Sequence, residues 1–447
     1  MHRPKDRIWQ RRMTRRDFLW LAGMSSAGLA ASGSLVGCAT DPVTGQPRLM
    51  LMSEEEEVAI DREHAPHQFS NDYGVVQDAR LNAYLTEVGQ SIAAVSHRPH
   101  MPYSYQAVNA NYVNAYTFPG GTMACTRGIL VDMDDEAELA ALLGHETGHV
   151  TARHTARRQT QQLLTAIAIG GVTIAAGQSD RLSGYSGAIY AVGALSAGAL
   201  LASYSRSNER EADALGLDYM VEAGHDPEGM VDLMAMLQNL SSRDPNALEL
   251  MFSTHPMSSE RFNTAKRQAR NHPSYDRTQG RERYMDNTAN LRRIRPTIKT
   301  LQAGEADMAR ERYSDAETKF AQALKQVPDD YCGLLLMAQC QTAQGKHREA
   351  DKYLAEAKAA YPGEAKALHL SGVNHLALNR PEAALADFEA YERNLPGNPN
   401  TLFLKGVANE NMQNRRAASE HYRRYVQLAG DTEQARYAAQ RLQAWES

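Results

Sequence analysis

A period of 34 residues in the last third of the chain most narrowly limits how this sequence can fold. Four series of positions keep that step, and each holds one kind of residue: small residues, alanines, large apolar residues or prolines. The series are Gly304, Ala338, Gly372 and Gly406; Ala316, Ala350, Ala384 and Ala418; Phe320, Leu354, Phe388 and Tyr422; and Pro328, Pro362 and Pro396. Small residues suit the place where two helices cross, a large residue packs beside them, and Pro ends the second helix. The pattern therefore predicts a stack of helix pairs.

This spacing is the tetratricopeptide pattern, and we assign four repeats to residues 298–432. Residues 433–447 are expected to form a capping helix. One pair cannot bury its apolar face alone, so the pairs stack into a short α-α superhelix. The concave face of such a stack normally holds a peptide or a protein, which predicts a docking role for this part of the chain.

The motif His145-Glu146-Thr147-Gly148-His149 indicates a hydrolase centre. It lies in a largely apolar run, 134–158, that is predicted to be a mostly buried helix capped by Asp134. Residues four apart share one helix face, so His145 and His149 can present two nitrogens to one zinc ion. Glu146, one step round the helix, can reach a water on that ion. A buried histidine pair with a purely structural role is the alternative interpretation.

Residues 205–213, which read Ser-Arg-Ser-Asn-Glu-Arg-Glu-Ala-Asp, open a second predicted helix that can supply a third ligand. A carboxylate added to two histidines makes the ligand set of a catalytic zinc and leaves the fourth position for water. Glu209 and Asp213 share a face, so we assign Glu209 to the zinc and Asp213 to the outer N–H of a ligand histidine. Glu211 lies about 200° from Glu209 around the helix and is expected to face solvent.

Together these motifs are similar to those of the gluzincin metallopeptidases related to CAAX prenyl proteases and the HtpX heat-shock protease. Segments 114–121 and 128–130 agree with this resemblance, as does Ser253-Thr254-His255-Pro256 followed by Arg261. The resemblance implies a mainly α protein. It would consist of an α+β zincin-like metallopeptidase domain at 39–270, a connector at 271–297 and the superhelical repeats.

The resemblance also implies roles for the site residues. One zinc ion per chain is expected, with Glu146 as general base and with three protein ligands: His145, His149 and Glu209. Two roles stay open for His255, a hydrogen bond to the tetrahedral oxyanion or a bond to zinc in a resting state that blocks water entry. Arg261 is a candidate for positioning His255.

Residues 103–124 are predicted to form strands and turns, because tyrosines and valines precede a turn signal at 119–121. An extended strand beside the metal can pair with substrate backbone and so tolerates many substrate sequences. Asn114, Ala115 and Tyr116 are the candidates for that substrate-binding edge. An ordinary hairpin in the core sheet is the alternative.

The first residues predict an export signal. Arg15 and Arg16, in a segment that resembles a twin-arginine signal, precede an Ala-, Gly- and Leu-rich run at 18–36. Leu35-Val36-Gly37-Cys38 resembles a bacterial lipobox, which makes Cys38 the candidate lipidated residue and 1–38 the signal. The body is then expected in the periplasm, anchored to the outer membrane. An uncleaved membrane anchor is the alternative, since the apolar run is near the lower limit of a spanning helix.

Charge separates this leader from the rest of the chain. Residues 1–38 hold seven Lys or Arg and two Asp, a net +5, so the remainder carries −10 within the chain total of −5. A body this acidic gives no reason to expect nucleic-acid binding. The cysteines other than Cys38 show no paired spacing and are expected to be free core thiols: Cys125, Cys332 and Cys340.

Two apolar segments, 163–177 and 187–202, lie between the expected zinc ligands. Each is shorter than the roughly 18 apolar residues of a membrane-spanning helix, which favours a packed helical hairpin. Our hypothesis is that this hairpin lies over or beside the cleft, where it limits access or touches lipid.

These observations predict an exported zinc endopeptidase with a docking module. By resemblance to periplasmic, repeat-containing lipoproteins of the same family, its substrates would be unfolded or misassembled outer-membrane proteins, and its repeats would bind these clients or the outer-membrane assembly machinery. Two other classes stay open. One is a chaperone or scaffold of outer-membrane assembly with structural zinc or latent protease activity, and the other is a zinc hydrolase of another bond, such as an amide in cell-wall peptide.

Overall fold

The computed structural model describes residues 38–162, 203–243, 249–272, 277–430 and 432–446. Residues 1–37 of the expected export signal and the apolar segments within 163–202 lie outside the described residues. Among the helices that the structure describes, none is both long and apolar enough to cross a membrane. The chain is mainly α, as the sequence predicts.

A small hairpin opens the described chain. Strands β1 (Cys38–Thr40) and β2 (Pro47–Leu49) pair antiparallel. The turn between them contains Asp41, which is fully buried and forms ion pairs with Arg48 at 2.9 Å and with Arg157 at 2.6 Å. A buried carboxylate requires such partners, so the turn is fastened to the body of the protein.

Helix α1 (Glu54–Asn71) begins at a capping box, in which the Ser53 side chain accepts from the Glu56 N–H and the Glu56 side chain accepts in return. Helix α2 (Ala79–Ala94) follows. The sheet is then formed by β3 (Ser104–Val108), β4 (Ala115–Thr117) and β5 (Thr122–Thr126), in the order β3-β5-β4. Strand β3 runs parallel to β5 and β4 runs antiparallel, so β4 forms an edge of this sheet.

Helices α3 (Arg127–Leu130) and α4 (Glu136–Thr151) come next, and every residue of α4 is buried. The capping residue of α4 is Asp135, one residue later than expected. The predicted helix also does not run unbroken to residue 158. It ends at Thr151, because Arg153 adopts a left-handed φ of 53° and donates a hydrogen bond to Glu57; helical structure resumes at 154–162.

Helix α5 (Arg206–Glu222) packs against α4 at unusually short range. Cβ atoms placed on two glycines of α4 would lie 2.7 Å and 2.9 Å from α5 backbone oxygens: Gly144 against Gly216, and Gly148 against Ala212. Only glycine allows this approach of the two backbones. It brings the acidic first turn of α5 next to the histidines of α4.

The rest of the first domain is helical: α6 (Glu228–Arg243), α7 (Glu249–Thr254), α8 (Ser259–Ala269), α9 (Arg277–Asn287) and α10 (Ala289–Arg293). Helices α9 and α10 fall in the segment predicted as a connector, but they are packed onto the domain. The buried Tyr284 hydroxyl donates to the Leu130 carbonyl at 2.6 Å, and Arg283 pairs with Glu136 at 3.0 Å. This segment is therefore part of the core.

Four helix pairs and a last helix form the repeat unit: α11 (Arg295–Ala309) with α12 (Tyr313–Gln326), α13 (Tyr331–Ala343) with α14 (His347–Ala360), α15 (Lys366–Ala377) with α16 (Pro381–Asn394), α17 (Pro399–Asn411) with α18 (Arg415–Leu428), and α19 (Glu433–Glu446). The three cysteines predicted to be free thiols are free and buried. The repeat unit docks on the first domain through a buried ion pair, in which Arg127 binds Asp330 at 2.7 Å and 3.0 Å.

The 34-residue period has a direct steric basis. In three repeats a buried aromatic ring lies over a glycine: Phe320 on Gly304, Phe388 on Gly372 and Tyr422 on Gly406. A Cβ at each glycine would come within 2.4 Å of the ring. In the second repeat the small residue is Ala338, and its counterpart is the smaller Leu354. The summed volume of the small and the large side chain is therefore similar from one repeat to the next.

Gly372→Ala is expected to destabilise the protein by about 1–3 kcal/mol, because the new methyl group would overlap the buried Phe388 ring. Adding Phe388→Leu should recover part of the loss, since it reproduces the Ala–Leu pair of the second repeat. Urea unfolding of the full chain measures both. The matched control is Gly280→Ala in helix α9, where the Cβ has an ordinary 3.7 Å contact and the expected change is zero or a gain of up to about 1 kcal/mol. Equal stabilities for the Gly372→Ala variant and this control would contradict the steric explanation.

Candidate metal centre

Helix α4 places three of the predicted site residues on one buried stretch of chain. His145, Glu146 and His149 have relative exposures of 7%, 2% and 2%. The Nε2 atoms of His145 and His149 lie 3.0 Å apart and point to the same place, as their spacing of four residues predicts.

Helix α5 brings a carboxylate to this pair of nitrogens. Glu209 is fully buried; its Oε1 lies 3.4 Å from His149 Nε2, and its Oε2 lies 3.6 Å from His145 Nε2. Ligand atoms about 2.0–2.1 Å from a tetrahedral zinc ion are about 3.3 Å from one another. The three side chains therefore have the separations of three corners of such a coordination shell.

His255, which follows directly after α7, occupies the position of the fourth corner. Its Nδ1 lies 3.3 Å from Glu209 Oε1 and 3.4 Å from His145 Nε2. The candidate ligand atoms of these four residues all lie within 4.8 Å of one another, and all four residues are buried. The other ring nitrogen of His255, Nε2, lies 3.8 Å from Glu146 Oε1. Of the two roles open for His255, this arrangement favours the resting ligand.

Asp213 and Arg261 keep the candidate metal ligands in position through hydrogen bonds and ion pairs. Asp213 Oδ1 lies 3.0 Å from His145 Nδ1, the position expected for the residue that orients a ligand histidine. Arg261 donates two bonds to Asp213 at 2.7 Å, and its third nitrogen lies 2.8 Å from Glu209 Oε2. It also donates to the Pro256 carbonyl at 2.9 Å, beside His255. One guanidinium thus links both carboxylates with the segment that carries His255.

His149 has a separate support that the sequence did not predict. His154 Nδ1 lies 2.8 Å from His149 Nδ1, and His154 Nε2 lies 3.1 Å from Glu211. Arg157 also bonds Glu211 at 2.8 Å. The expectation that Glu211 faces solvent holds only in part: its side chain is 30% exposed, but it accepts bonds from His154 and Arg157 of the helical stretch 154–162. A histidine five residues after His149 was the available sequence signal, but its use depends on the turn at residues 152–153.

Tyr204 is a second unforeseen component. Its ring stacks on the His149 imidazole with a centroid distance of 3.9 Å and an interplanar angle of 24°. The Tyr204 N–H donates to the Thr254 carbonyl, so the same residue ties the start of α5 to the segment before His255. Helical spacing could not identify it, because Tyr204 lies just before the helix.

The electrostatics of the centre favour a bound cation. Burial raises the pKa of the Glu146 carboxyl and lowers the pKa of His149. Burial opposes ionisation of Glu209 as well, but the charge of His255 and the bonds from the two histidines outweigh it and lower the pKa of Glu209. The pKa of His255 is raised, because Glu209 and Glu146 outweigh its burial. The buried carboxylates therefore already attract positive charge to this position.

The donor set fits a metal ion. Two imidazole nitrogens and a carboxylate, with the outer nitrogen of each histidine bonded to a further residue, form the arrangement of catalytic zinc sites. Glu146 Oε2 is buried and has no hydrogen-bond partner among the residues that the structure describes, as expected for an oxygen that serves a water or a substrate.

The candidate substrate strand lies beside this centre. Asn114, Ala115 and Tyr116 are buried, the last two in β4 and Asn114 immediately before it. Thr117 and His149 line the same narrow gap, which is too small to hold a water molecule. The substrate-binding role of this strand stays a prediction.

The geometry defines a metal-dependent hydrolase centre of the His-Glu-x-x-His type on a mainly α scaffold. Comparison with known families agrees with this class: residues 79–269 match peptidase family M48, and residues 307–371 match the tetratricopeptide repeat. The chain therefore contains a domain that matches peptidase family M48 and a segment that matches the tetratricopeptide repeat.

Several curated proteins are similar to this chain. The beta-barrel assembly-enhancing protease of Yersinia pestis is 29% identical over 260 residues, which cover 56% of this chain and 51% of that protein. The protease of the same name from Escherichia coli K12 is 27% identical over 203 residues, or 44% and 40% of the two chains. Metalloprotease YcaL of Escherichia coli K12 is 30% identical over 160 residues, or 36% and 59%. The chain thus spans about half the length of these relatives.

Arg261→Gln is expected to weaken metal binding about 10- to 100-fold, because it removes the group that holds Asp213 and Glu209 in place. Chelator competition on the full chain measures the affinity. The control is Arg210→Gln on α5, the helix that carries Glu209 and Asp213, since Arg210 is 46% exposed and pairs only loosely with Glu260 at 3.6 Å; it should bind metal within twofold of the unmodified chain. An unchanged or higher affinity for Arg261→Gln would mean that the positive charge of Arg261 repels the ion more than its bonds organise the ligands.

Proposed function

We propose that this protein is an exported, zinc-dependent endopeptidase that hydrolyses misassembled envelope proteins, with its repeats as a docking module. The observation that carries the proposal is the convergence of His145, His149 and Glu209 at the separations of a coordination shell, with the carboxylate of Glu146 beside it. A structural zinc site would need no such carboxylate.

In this mechanism the bound ion would polarise the scissile carbonyl and lower the pKa of its water. Glu146 accepts the proton of the attacking water and later passes it to the leaving amine. Burial supports this role, because a raised pKa brings the carboxyl closer to the range in which it can both take and return a proton. Asp213 keeps His145 in the tautomer that offers Nε2, and the contact between His154 and His149 does the same for the second histidine.

The position of His255 supports a latent resting state. An ion held at this position would have four protein ligands, with His255 Nδ1 in the place that a catalytic site leaves for water. Catalysis then requires the segment after α7 to move His255 away. The bond from Arg261 to the Pro256 carbonyl holds that segment in the closed position.

The edge of β4 supports recognition of extended substrate. Thr126 donates to the Asn114 carbonyl and Phe118 donates to Thr122, so alternate residues of this stretch bond to β5. The backbone groups of Ala115 and Thr117 therefore point away from β5, toward the side of β4 on which the described sheet has no further strand. A substrate strand added there would present its own backbone to the narrow gap beside His149.

The names of the similar proteins support the choice of substrate. Two of them are beta-barrel assembly-enhancing proteases, which favours outer-membrane proteins that are unfolded or misassembled. The leader and Cys38 support export and a lipid anchor on the outer membrane. The repeats would bind the client or the outer-membrane assembly machinery.

The decisive comparison is between the unmodified chain and Glu146→Gln, incubated with an unfolded outer-membrane barrel protein. Both should hold about one zinc per chain, because Glu146 is not a ligand, and only the unmodified chain should cut. Zinc content by atomic absorption and fragments by mass spectrometry give the two readouts. Cleavage by Glu146→Gln at the unmodified rate would exclude Glu146 as the base.

His255→Ala is expected to raise the cleavage rate at least several-fold, because it opens the fourth position to water. Zinc should stay bound through the other three ligands, which the same metal analysis checks. If His255→Ala holds zinc but neither it nor the unmodified chain cuts, the alternative function is favoured, a chaperone or scaffold that has kept its metal. If only the unmodified chain cuts, His255 serves the reaction as an oxyanion donor instead.

A further inference from the structure

One buried carboxylate, that of Asp72, binds a tyrosine of strand β4 and a second tyrosine that precedes the strand. The Tyr116 hydroxyl donates to Asp72 Oδ2 at 2.5 Å, and the Tyr112 hydroxyl donates to Asp72 Oδ1 at 2.6 Å. Asp72 ends helix α1 and is 3% exposed; it also accepts from the Gln68 amide at 3.0 Å. A buried carboxylate is costly unless its lone pairs are filled, so these donors and Asp72 hold one another firmly.

Asp72 is the last of three acids on one face of α1 that hold the frame of the site. Glu57 accepts from Arg153, which follows the metal helix, and Asp61 accepts from the Thr122 N–H at the start of β5. All three acids are buried, and their spacings of four and eleven residues keep them on one face. A shift of α1 along its axis would therefore also displace β4, the candidate substrate strand.

The same end of α1 is held by the repeat unit. Ser70 donates a hydrogen bond to Glu364, and Lys366 Nζ donates to the Asn71 carbonyl at 2.6 Å. The ammonium of Lys366 also lies 4.4 Å from the centroid of the Tyr73 ring, a cation–π contact. The two residues before Asp72 and the one after it are thus all bound by the third repeat.

The backbone at this junction is shaped for the contact. Tyr73 has a φ of 65° and Gly74 a φ of 77°. A Cβ on Gly74 would lie 2.6 Å from the Glu364 side chain, so the close approach requires glycine there. Tyr73 packs against an apolar cluster of the repeats that includes Tyr331, Leu334 and Leu335. The first domain therefore inserts a turn of its own chain among the first helices of successive repeats.

From this arrangement we infer that Asp72 is a positioning residue for the substrate strand, and that the repeat unit sets its place through Lys366 and Glu364. The repeats then do more than bind partners, because their contacts with residues 70–74 determine where β4 lies when it meets the substrate. The mechanical link stands on the contacts alone, whereas the effect on cleavage rests on the proposed function of β4 as the substrate strand.

Hydrogen exchange of the metal-loaded full chain tests the mechanical link. Tyr116→Phe removes one hydroxyl from β4, and Lys366→Ala removes the contacts of the repeats with Asn71 and Tyr73. Both are expected to raise exchange in residues 113–118 about tenfold, the factor that corresponds to one lost buried hydrogen bond. Lys366→Arg should restore protection, since Arg can also donate to the Asn71 carbonyl and lie over the Tyr73 ring.

The matched control is Tyr84→Phe. It removes another buried hydrogen bond from a tyrosine hydroxyl to a carboxylate, the bond from Tyr84 to Glu136 at 3.0 Å, which does not involve β4. It should leave exchange in residues 113–118 unchanged. If Lys366→Ala raises exchange in residues 66–74 but leaves residues 113–118 at the rate of the unmodified chain, the link from the repeats to the strand is overturned.

Cleavage of the unfolded barrel protein tests the functional part. Tyr116→Phe and Lys366→Ala should raise KM about three- to tenfold and leave kcat within twofold, because a strand that binds substrate and transition state alike affects only binding. Lys366→Arg should recover KM. A faster exchange of 113–118 with unchanged KM would overturn the role of Asp72 in substrate positioning. Absence of cleavage by the unmodified chain and by His255→Ala would instead refute the proposed function, while the exchange data would still decide the mechanical link.

Discussion

The close approach of helices α4 and α5 is the contact on which the metal centre depends. Glycines at 144 and 148 on one helix and at 216 on the other let the two backbones meet. A Cβ on Gly216 would lie 2.6 Å from the backbone nitrogen of His145. With larger side chains at the crossing, the two helices would have to move apart. Glu209 could then not reach His145 and His149 together. The complete burial of α4 follows from the same packing, since every side of that helix meets another element.

Burial of so many charged groups is the second constraint on this fold. Three buried carboxylates around the site have matched donors: Asp213 has Arg261, Glu57 has Arg98 and Arg153, and Asp72 has two tyrosines. Such pairs add little net stability compared with apolar residues of the same volume, but breaking one is costly. Here they connect elements that are distant in sequence. They therefore determine where β4, the metal helix and the His255 segment lie relative to one another.

The repeat unit is joined to the first domain by the same kind of contact. Arg127 directly follows β5 and binds Asp330, while residues 70–74, the end of α1 and the turn after it, bind the third repeat. Both attachment points adjoin the small sheet that carries the candidate substrate strand. A partner bound to the repeats would consequently act on the part of the site that recognises substrate, rather than on the metal ligands.

Much of this protein could be predicted from its sequence, because the relevant patterns are local. The spacing of His145 and His149 and the angle between Glu209 and Asp213 follow from helix geometry, and the mainly α fold and the repeats follow from periodicity. The Gly–Phe and Ala–Leu pairs of the repeats could also be read from the 34-residue step. What escaped prediction depends on where the chain turns. The left-handed residue Arg153 breaks the metal helix, and the chain after it places His154 between His149 and Glu211.

The sequence by itself therefore determined which side chains could bind a metal and which segments form helices, since both depend on neighbours within a turn or one repeat. Only the tertiary structure decided that His255 lies at the fourth corner of the shell, that Tyr204 stacks on His149 and that Asp72 joins the repeats to β4. These contacts join residues tens to hundreds of positions apart. Their geometry is set by the packing of whole helices and by the pairing of buried charges, which no local pattern contains.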